Sequence, residues 1–335
     1  MTLLVFKTNS PRTVGYRHGL GVSANMVADV LTIAGEHVQA IGVFDGFELE
    51  DILRTHEHVR RVVFYAPWID IKFLAGLAER WPQVRFTVTL HSNLAFLQSD
   101  AFAMKIIRQG TELSKAVPNF TISSNNPTTA EFIEVTYEAK CPYLPNLYLL
   151  DPDQQYMFRG CQPKLRLGLF GATRQLKNLM TGVGAGILVS KMRKPVQMFI
   201  SGGRVEGGEG ILRAIYELVK DHRDFQLEIV DWMEWPDFTR FVGTMDLLVQ
   251  PSFSESFNNV VADGAAQFIA AAVGPAITWA PESWKVRNPD NVVELAERVV
   301  DLVEHPAEGL NGRGALEKYV RDGIAWWKGW IRGEA

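Results

Sequence analysis

Residues 249–264 read Val-Gln-Pro-Ser-Phe-Ser-Glu-Ser-Phe-Asn-Asn-Val-Val-Ala-Asp-Gly, and they decide how the rest of the chain is parsed. The apolar run from Leu247 to Val249 predicts a buried strand, and Pro251 ends it. Ser256, Asn258 and Asn259 then give way to Val260, Val261 and Ala262, so a polar turn opens into a helix. Glu255 and Asp263 stand on either side of that change. A strand ending in a polar turn at a helix N-terminus is where open α/β sheets take ligands, because free backbone N–H groups and the helix dipole point into the crevice. A carboxylate there opposes the local positive field. Glu255 therefore suits hydrogen bonds accepted from hydroxyl groups better than a phosphate contact.

Strand-like and helix-like stretches alternate on both sides of this segment, the pattern of α/β layers around a mostly parallel sheet. In the first half, short apolar or β-branched runs at 2–7, 38–44, 62–65, 85–90 and 120–123 read as strands, with helices at 23–34 and 71–80 between them. The pattern restarts after a proline-bearing stretch, Cys141-Pro142-Tyr143-Leu144-Pro145-Asn146, and the acidic turn Asp151-Pro152-Asp153. Strands are then expected at 165–170, 196–200, 226–230, 247–249 and 275–278. The tail from Leu316 to Ile331 is helical in spacing and carries Trp326, Trp327 and Trp330. The boundaries fall at 1–155, 156–312 and 313–335: two doubly wound units and a terminal helix.

The composition agrees and excludes several classes. A chain of 335 residues, 47% hydrophobic, is too long for one ordinary core and suits two domains. A net charge of −4 argues against coating nucleic acid by bulk electrostatics, though a local basic groove stays open. Two cysteines, Cys141 and Cys161, imply no disulfide framework and fit a reduced, cytoplasmic compartment. Met1 to Phe6 continues as a strand rather than a signal peptide, and no apolar run is long enough to be an integral membrane segment.

The turn at 251–264 resembles the acidic nucleotide-sugar signature of retaining glycosyltransferases of the GT-B fold, group 4 (also called the group 1 domain family) in particular. The resemblance implies two Rossmann-like domains facing across a cleft, an N-terminal acceptor side and a C-terminal nucleotide-sugar side. It also implies a last helix that crosses back onto the N-terminal domain. The family pattern is a proline-serine turn, Glu, seven residues and a second Glu. Here the second acid is Asp263, one methylene shorter, at the position that contacts the nucleotide ribose in the family. Ser256, Phe257, Asn258 and Asn259 fill the donor-binding turn between the two acids.

A second stretch carries the resemblance further. The strand at 165–170 runs into Gly171-Ala172-Thr173-Arg174-Gln175-Leu176-Lys177-Asn178. A glycine at the strand end permits close backbone approach, and a loop cation six residues later can neutralise a leaving diphosphate. The family has Gly-Arg here and a Lys near the next helix. Lys177 sits at that offset, read as an exposed loop lysine, whereas Ala172 replaces the arginine and Arg174 follows two residues later. Gly19-Leu20-Gly21 stands where the family has a glycine-rich loop after its first strand. The preceding Arg12, Tyr16, Arg17 and His18 would lie on the acceptor side. His91 closes the strand at 85–90, where related enzymes place a histidine facing the transferred sugar. Of the aromatic group Trp232, Met233 and Trp235, one member covers the nucleotide base or all pack beneath the loop.

Asp151-Pro152-Asp153 has the Asp-x-Asp form of a metal site but reads as a proline turn, so no metal and no cofactor is expected beyond the donor itself. The function so implied is metal-independent, retaining transfer of a sugar, glucose by default, from a UDP-sugar to an acceptor hydroxyl. The acceptor class stays open between glycan, small molecule and hydroxymethylated DNA, as used by compact bacteriophage enzymes. A nucleotide-sugar binder without transfer, or an epimerase, is the alternative from another class.

Overall fold

Thr2 to Phe6 are buried on both faces, as expected of the inner strand of a parallel sheet, and form β1 (Thr2–Lys7). In the computed structural model, residues 1–8, 19–156 and 162–334 are described. The chain divides into one unit of Met1–Leu149 with Tyr319–Ala335 and a second of Leu150–Lys318.

The first unit continues with α1 (Gly19–Ile33), β2 (Val38–Val43), α2 (Gly46–Thr55), β3 (Arg61–Tyr65), α3 (Ile71–Arg80), β4 (Arg85–Leu90), the short α4 (Leu94–Leu97), α5 (Ala101–Ala116), β5 (Phe120–Ser124) and α6 (Pro127–Tyr137). Its five strands are all parallel, in the order β2-β1-β3-β4-β5. Asp45, Asp70, Asp100 and Asn126 each cap a helix by accepting a backbone N–H, which fixes where the chain leaves the sheet. One core face joins Val5, Val62, Phe64, Phe86 and Ile122 to Leu53, Leu74 and Ile106 from the helices. Directly after β3, Ala66 holds φ at 123° without being glycine, and the Trp68 N–H donates to its carbonyl at 3.0 Å.

The second unit holds β6 (Leu165–Leu169), a 3₁₀ turn at Gln175–Lys177, α7 (Leu179–Met192), β7 (Val196–Ser201), α8 (Ile211–Val219), β8 (Phe225–Val230), α9 (Trp235–Val242), β9 (Leu247–Gln250), α10 (Asn259–Ala266), β10 (Ala271–Val273) and α11 (Val292–Glu304); α12 (Glu308–Arg332) begins in this unit and ends in the first. These strands too are parallel, in the order β10-β9-β6-β7-β8. In both units the chain leaves one strand, winds to one side, then returns to the other. The reversal falls between β1 and β3 in the first unit and between β6 and β9 in the second. Such a switch point is where an open sheet leaves a crevice at its carboxyl end.

Most strand expectations hold to within a residue. The last does not: 275–278 is turn, and the strand is Ala271–Val273. Three small residues give little β signal, but all three are buried and pair with β9, so packing overrides propensity. Gly19 and Gly21 also differ, since α1 starts at Gly19 and takes in both. Gly21 is the place of close contact, because a Cβ there would lie 3.1 Å from the Phe6 ring. Within the first unit, the end of α12 is tied down by Trp327 Nε1 donating to the Pro145 carbonyl at 2.8 Å and by Lys328 Nζ donating to Ala34 at 2.6 Å. Among the described residues, no helix is long and apolar enough to cross a membrane.

Candidate functional site

The switch point of the second unit brings two sequence-predicted residues into direct contact. Lys177 ends the 3₁₀ turn after β6, and Glu255 lies in the turn after β9. Because those strands are neighbours, their trailing turns meet, and a backbone bond from the Phe253 N–H to the Leu176 carbonyl at 2.9 Å holds them. Lys177 Nζ lies 2.5 Å from Glu255 Oε1, with both side chains under one-tenth exposed (9% and 7%). The lysine is therefore buried and paired, not the exposed loop residue expected. Its burial follows from the meeting of the two turns, which the composition of either loop does not reveal.

A chain of buried amides supports the pair. Asn258 Nδ2 donates to Glu255 Oε1 at 3.0 Å and to Gln250 Oε1 at 3.3 Å, while Gln250 Nε2 donates to the Phe170 carbonyl at 3.0 Å. Asn258 takes a left-handed φ of 68° and caps α10, its Oδ1 accepting the Val261 N–H. The N-terminus of α10 thus opens beside the carboxylate, with Asn259 as its first residue and Ser256 half-buried before it. Phe257 is buried, its ring 5.7 Å from Trp279 and its carbonyl accepting the Trp279 indole N–H. Gly171 has φ at 125°, and a Cβ there would lie 3.3 Å from Lys177 Cε, so this glycine is required by conformation and space together.

Other predicted residues sit apart from the pair. Arg174 Nη1 lies 3.4 Å from Glu206 Oε2, and the other oxygen of that carboxylate pairs with Arg204. Asp263 is 2% exposed and accepts the indole N–H of Trp235 at 3.1 Å. Trp232 is largely exposed and Trp235 half-buried. Asp151 and Asp153 form an exposed turn in which the Asp153 N–H donates to Asp151 Oδ1 at 2.9 Å. Among the described residues, no three His, Cys, Asp or Glu side chains are grouped to hold a metal ion.

In the first unit, His91 follows β4 and Asn125 follows β5, in register because Leu90 faces Ser124. Asn125 Nδ2 lies 3.0 Å from His91 Nδ1 and also donates to Asn146 Oδ1, which accepts the Tyr65 hydroxyl at 2.9 Å. This network makes Nδ1 an acceptor and leaves the proton on Nε2. Nε2 is itself buried and has no partner in the described structure. Burial, with the Tyr65 ring 4.1 Å away, lowers the His91 pKa to about 3, so the imidazole is neutral near pH 7 and can only donate through Nε2–H. Gly19 opens α1, and among the described residues nothing would lie within 4 Å of a Cβ there. Arg12, Tyr16, Arg17 and His18 lie outside the described residues. Gln250, Asn258 as a bridge, Trp235 as a partner of Asp263, and Asn125 with Asn146 are the residues that sequence reasoning missed. Gln250 closes β9 and Asn125 follows β5, which is a signal the sequence offers; Asn146, in a stretch with no regular element, offers none.

The chain is similar to HepE from Anabaena in complex with UDP, at 12% identity over 99% of this chain and 100% of that one, with a TM-score of 0.68. It is similar to a sucrose-phosphate synthase from Thermosynechococcus elongatus at 16% identity, covering 100% and 99%, with a TM-score of 0.66. The fold is GT-B. A third similar structure is TarM of S. aureus in complex with UDP, at 12% identity and a TM-score of 0.60. There the match covers 84% of this chain but 57% of the TarM chain. No protein-family profile and no curated protein matches the sequence.

Proposed function

We propose that this chain is a retaining glycosyltransferase that takes a nucleotide diphosphate sugar, UDP-glucose first, and passes the sugar to an acceptor hydroxyl. The observation that carries the reading is the Lys177–Glu255 pair, buried where β6 and β9 part and beside the N-terminus of α10. A buried lysine beside helix N–H groups matches a dianionic leaving group, and the carboxylate paired with it matches the hydroxyls of the sugar. Support also comes from similar structures that hold UDP, and from one of HepE that holds UDP-glucose.

In this reading the bond between the anomeric carbon and the diphosphate oxygen breaks. The acceptor oxygen bonds to the same face of the sugar, and its proton leaves with the departing phosphate oxygen. Lys177 and backbone amides meet the charge that develops on the diphosphate. Glu255 accepts hydrogen bonds from sugar hydroxyls. No metal is required, because charge stabilisation falls to the lysine and the helix terminus. Glycan, small-molecule and hydroxymethylated-DNA acceptors all fit this chemistry.

The test is incubation with UDP-glucose alone and with a panel of simple glycans, small alcohols and hydroxymethylated DNA, with and without EDTA. Release of UDP with acceptor-dependent transfer, unaffected by EDTA, is the expected result. An epimerised sugar or binding without turnover would replace this reading with that of an isomerase or a binding protein. Activity lost in EDTA and restored by manganese would remove the metal-independent part.

A further inference from the structure

Asp263 occupies the position from which a longer acid would reach a nucleotide ribose, yet its carboxylate already has other work. It sits on α10, 2% exposed, and Oδ1 accepts the indole N–H of Trp235, the first residue of α9, at 3.1 Å. One turn further along α10, Gln267 Nε2 donates both to the Asp263 carbonyl at 3.0 Å and to the Thr239 carbonyl of α9 at 2.8 Å. The two helices are thus fastened at two points, one of them ending in the indole. Trp235 keeps part of its surface exposed, and it lies at the carboxyl end of β8, on the same edge of the sheet as Lys177 and Glu255. The adjoining loop is held close from below, since a Cβ on Gly203 would lie 2.9 Å from the backbone nitrogen of Trp232.

A hydrogen bond from the indole N–H to a buried carboxylate favours one setting of both side-chain torsions and so orients the plane of the ring. A flat aromatic held at the carboxyl edge of a nucleotide-binding sheet is a surface on which a base can stack. We propose that Asp263 is a positioning residue that orients Trp235 against the nucleobase of the donor, and that it makes no direct contact with the ribose. The proposal rests on the nucleotide-sugar reading above and replaces the ribose role implied by family resemblance. It also accounts for the shorter acid: a glutamate at this position would push its carboxylate into the indole.

The experiment measures UDP, dUDP and ADP binding by calorimetry on the full chain, with thermal midpoints recorded alongside, for the wild type, Asp263→Asn, Asp263→Ala, Asp263→Glu, Trp235→Phe and the double variant Asp263→Ala/Trp235→Phe. Trp235→Phe and Asp263→Ala should each weaken UDP about tenfold and narrow the preference for UDP over ADP. The double variant should lose no more than either single change, because the two residues act as one unit. Asp263→Asn keeps an acceptor oxygen for the indole and should stay within about threefold of wild type, whereas Asp263→Glu should lose as much as Asp263→Ala. The ratio of dUDP to UDP affinity should be the same in every variant.

Collapse of that ratio in Asp263→Asn, with Trp235→Phe unaffected, would restore direct ribose contact and overturn the proposal. So would additive losses in the double variant, or lowered thermal midpoints with base preference unchanged. If the wild type binds none of the three nucleotides, the nucleotide-sugar reading falls first and this proposal with it.

Discussion

Replacing Lys177 by methionine separates what the side chain does for the fold from what it does for chemistry. Methionine keeps most of the apolar stem and removes the charge. In the native protein the ammonium lies 2.5 Å from Glu255 Oε1, and each side chain is less than one-tenth exposed. Removing one member of a buried pair leaves the other charge poorly compensated, at a cost of about 3–5 kcal/mol. Asn258 continues to donate to the same oxygen, which places the expected loss near the lower end, about 3 kcal/mol. Neutralising the partner as well, in Lys177→Met/Glu255→Gln, removes the stranded charge and should recover about 2 kcal/mol of that loss. Urea unfolding followed by circular dichroism measures both. Turnover, read as UDP released from UDP-glucose, should fall roughly 30- to 1000-fold in the folded single variant, the worth of about 2–4 kcal/mol of transition-state stabilisation. A double variant no more stable than the single one would refute the coupled pair. A folded Lys177→Met that turns over at near wild-type rate would place the diphosphate elsewhere.

Glu255→Gln alone should suppress transfer while leaving UDP affinity nearly intact, because the amide keeps the shape but weakens hydrogen bonds accepted from sugar hydroxyls; calorimetry beside steady-state kinetics tests this. Gln250→Leu should cost about 1–3 kcal/mol, since the Phe170 carbonyl and Asn258 each lose a buried partner, and should lower turnover by disturbing Glu255; unchanged stability would dismiss the amide chain. For His91 the folded pKa of about 3 lies below the ordinary value of 6.5, so its contribution is complete above pH 6.5 and is lost as pH falls toward 3. Between pH 7 and 5 the wild type should therefore lose up to about 2 kcal/mol more stability than His91→Gln, and parallel pH profiles would contradict the burial of the ring.

The sheets were legible because parallel strands buried on both faces are written as short runs of Val, Ile, Leu and Phe, and nine of the ten read that way. β10 escaped because Ala271 and Ala272 form a strand only through burial against β9 and the helices beside it. The turns carrying Lys177 and Glu255 were legible from the strand–turn–helix pattern and from their resemblance to the GT-B family signature, yet their contact depends on β6 and β9 being neighbours, and strand order is not a local property. The same holds for Trp235 and Asp263, which lie 28 positions apart and meet only once α9 and α10 have packed. Asn258 and Asn178 were visible as polar turn residues, but their left-handed backbone was not. Asparagine tolerates that conformation without requiring it.

Ala66 shows how such a fold limits its own improvement. Its φ of 123° at the end of β3, just before Pro67, is a conformation that side-chain-bearing residues rarely adopt, and holding it draws about 1–3 kcal/mol from the rest of the unit. Glycine would adopt it freely, so Ala66→Gly should raise thermal stability even after the larger entropy of the unfolded glycine chain is counted. The residue stands at the carboxyl end of β3, beside the switch point of the first sheet, so stability left unclaimed there costs the fold little while it stays above the threshold that folding needs.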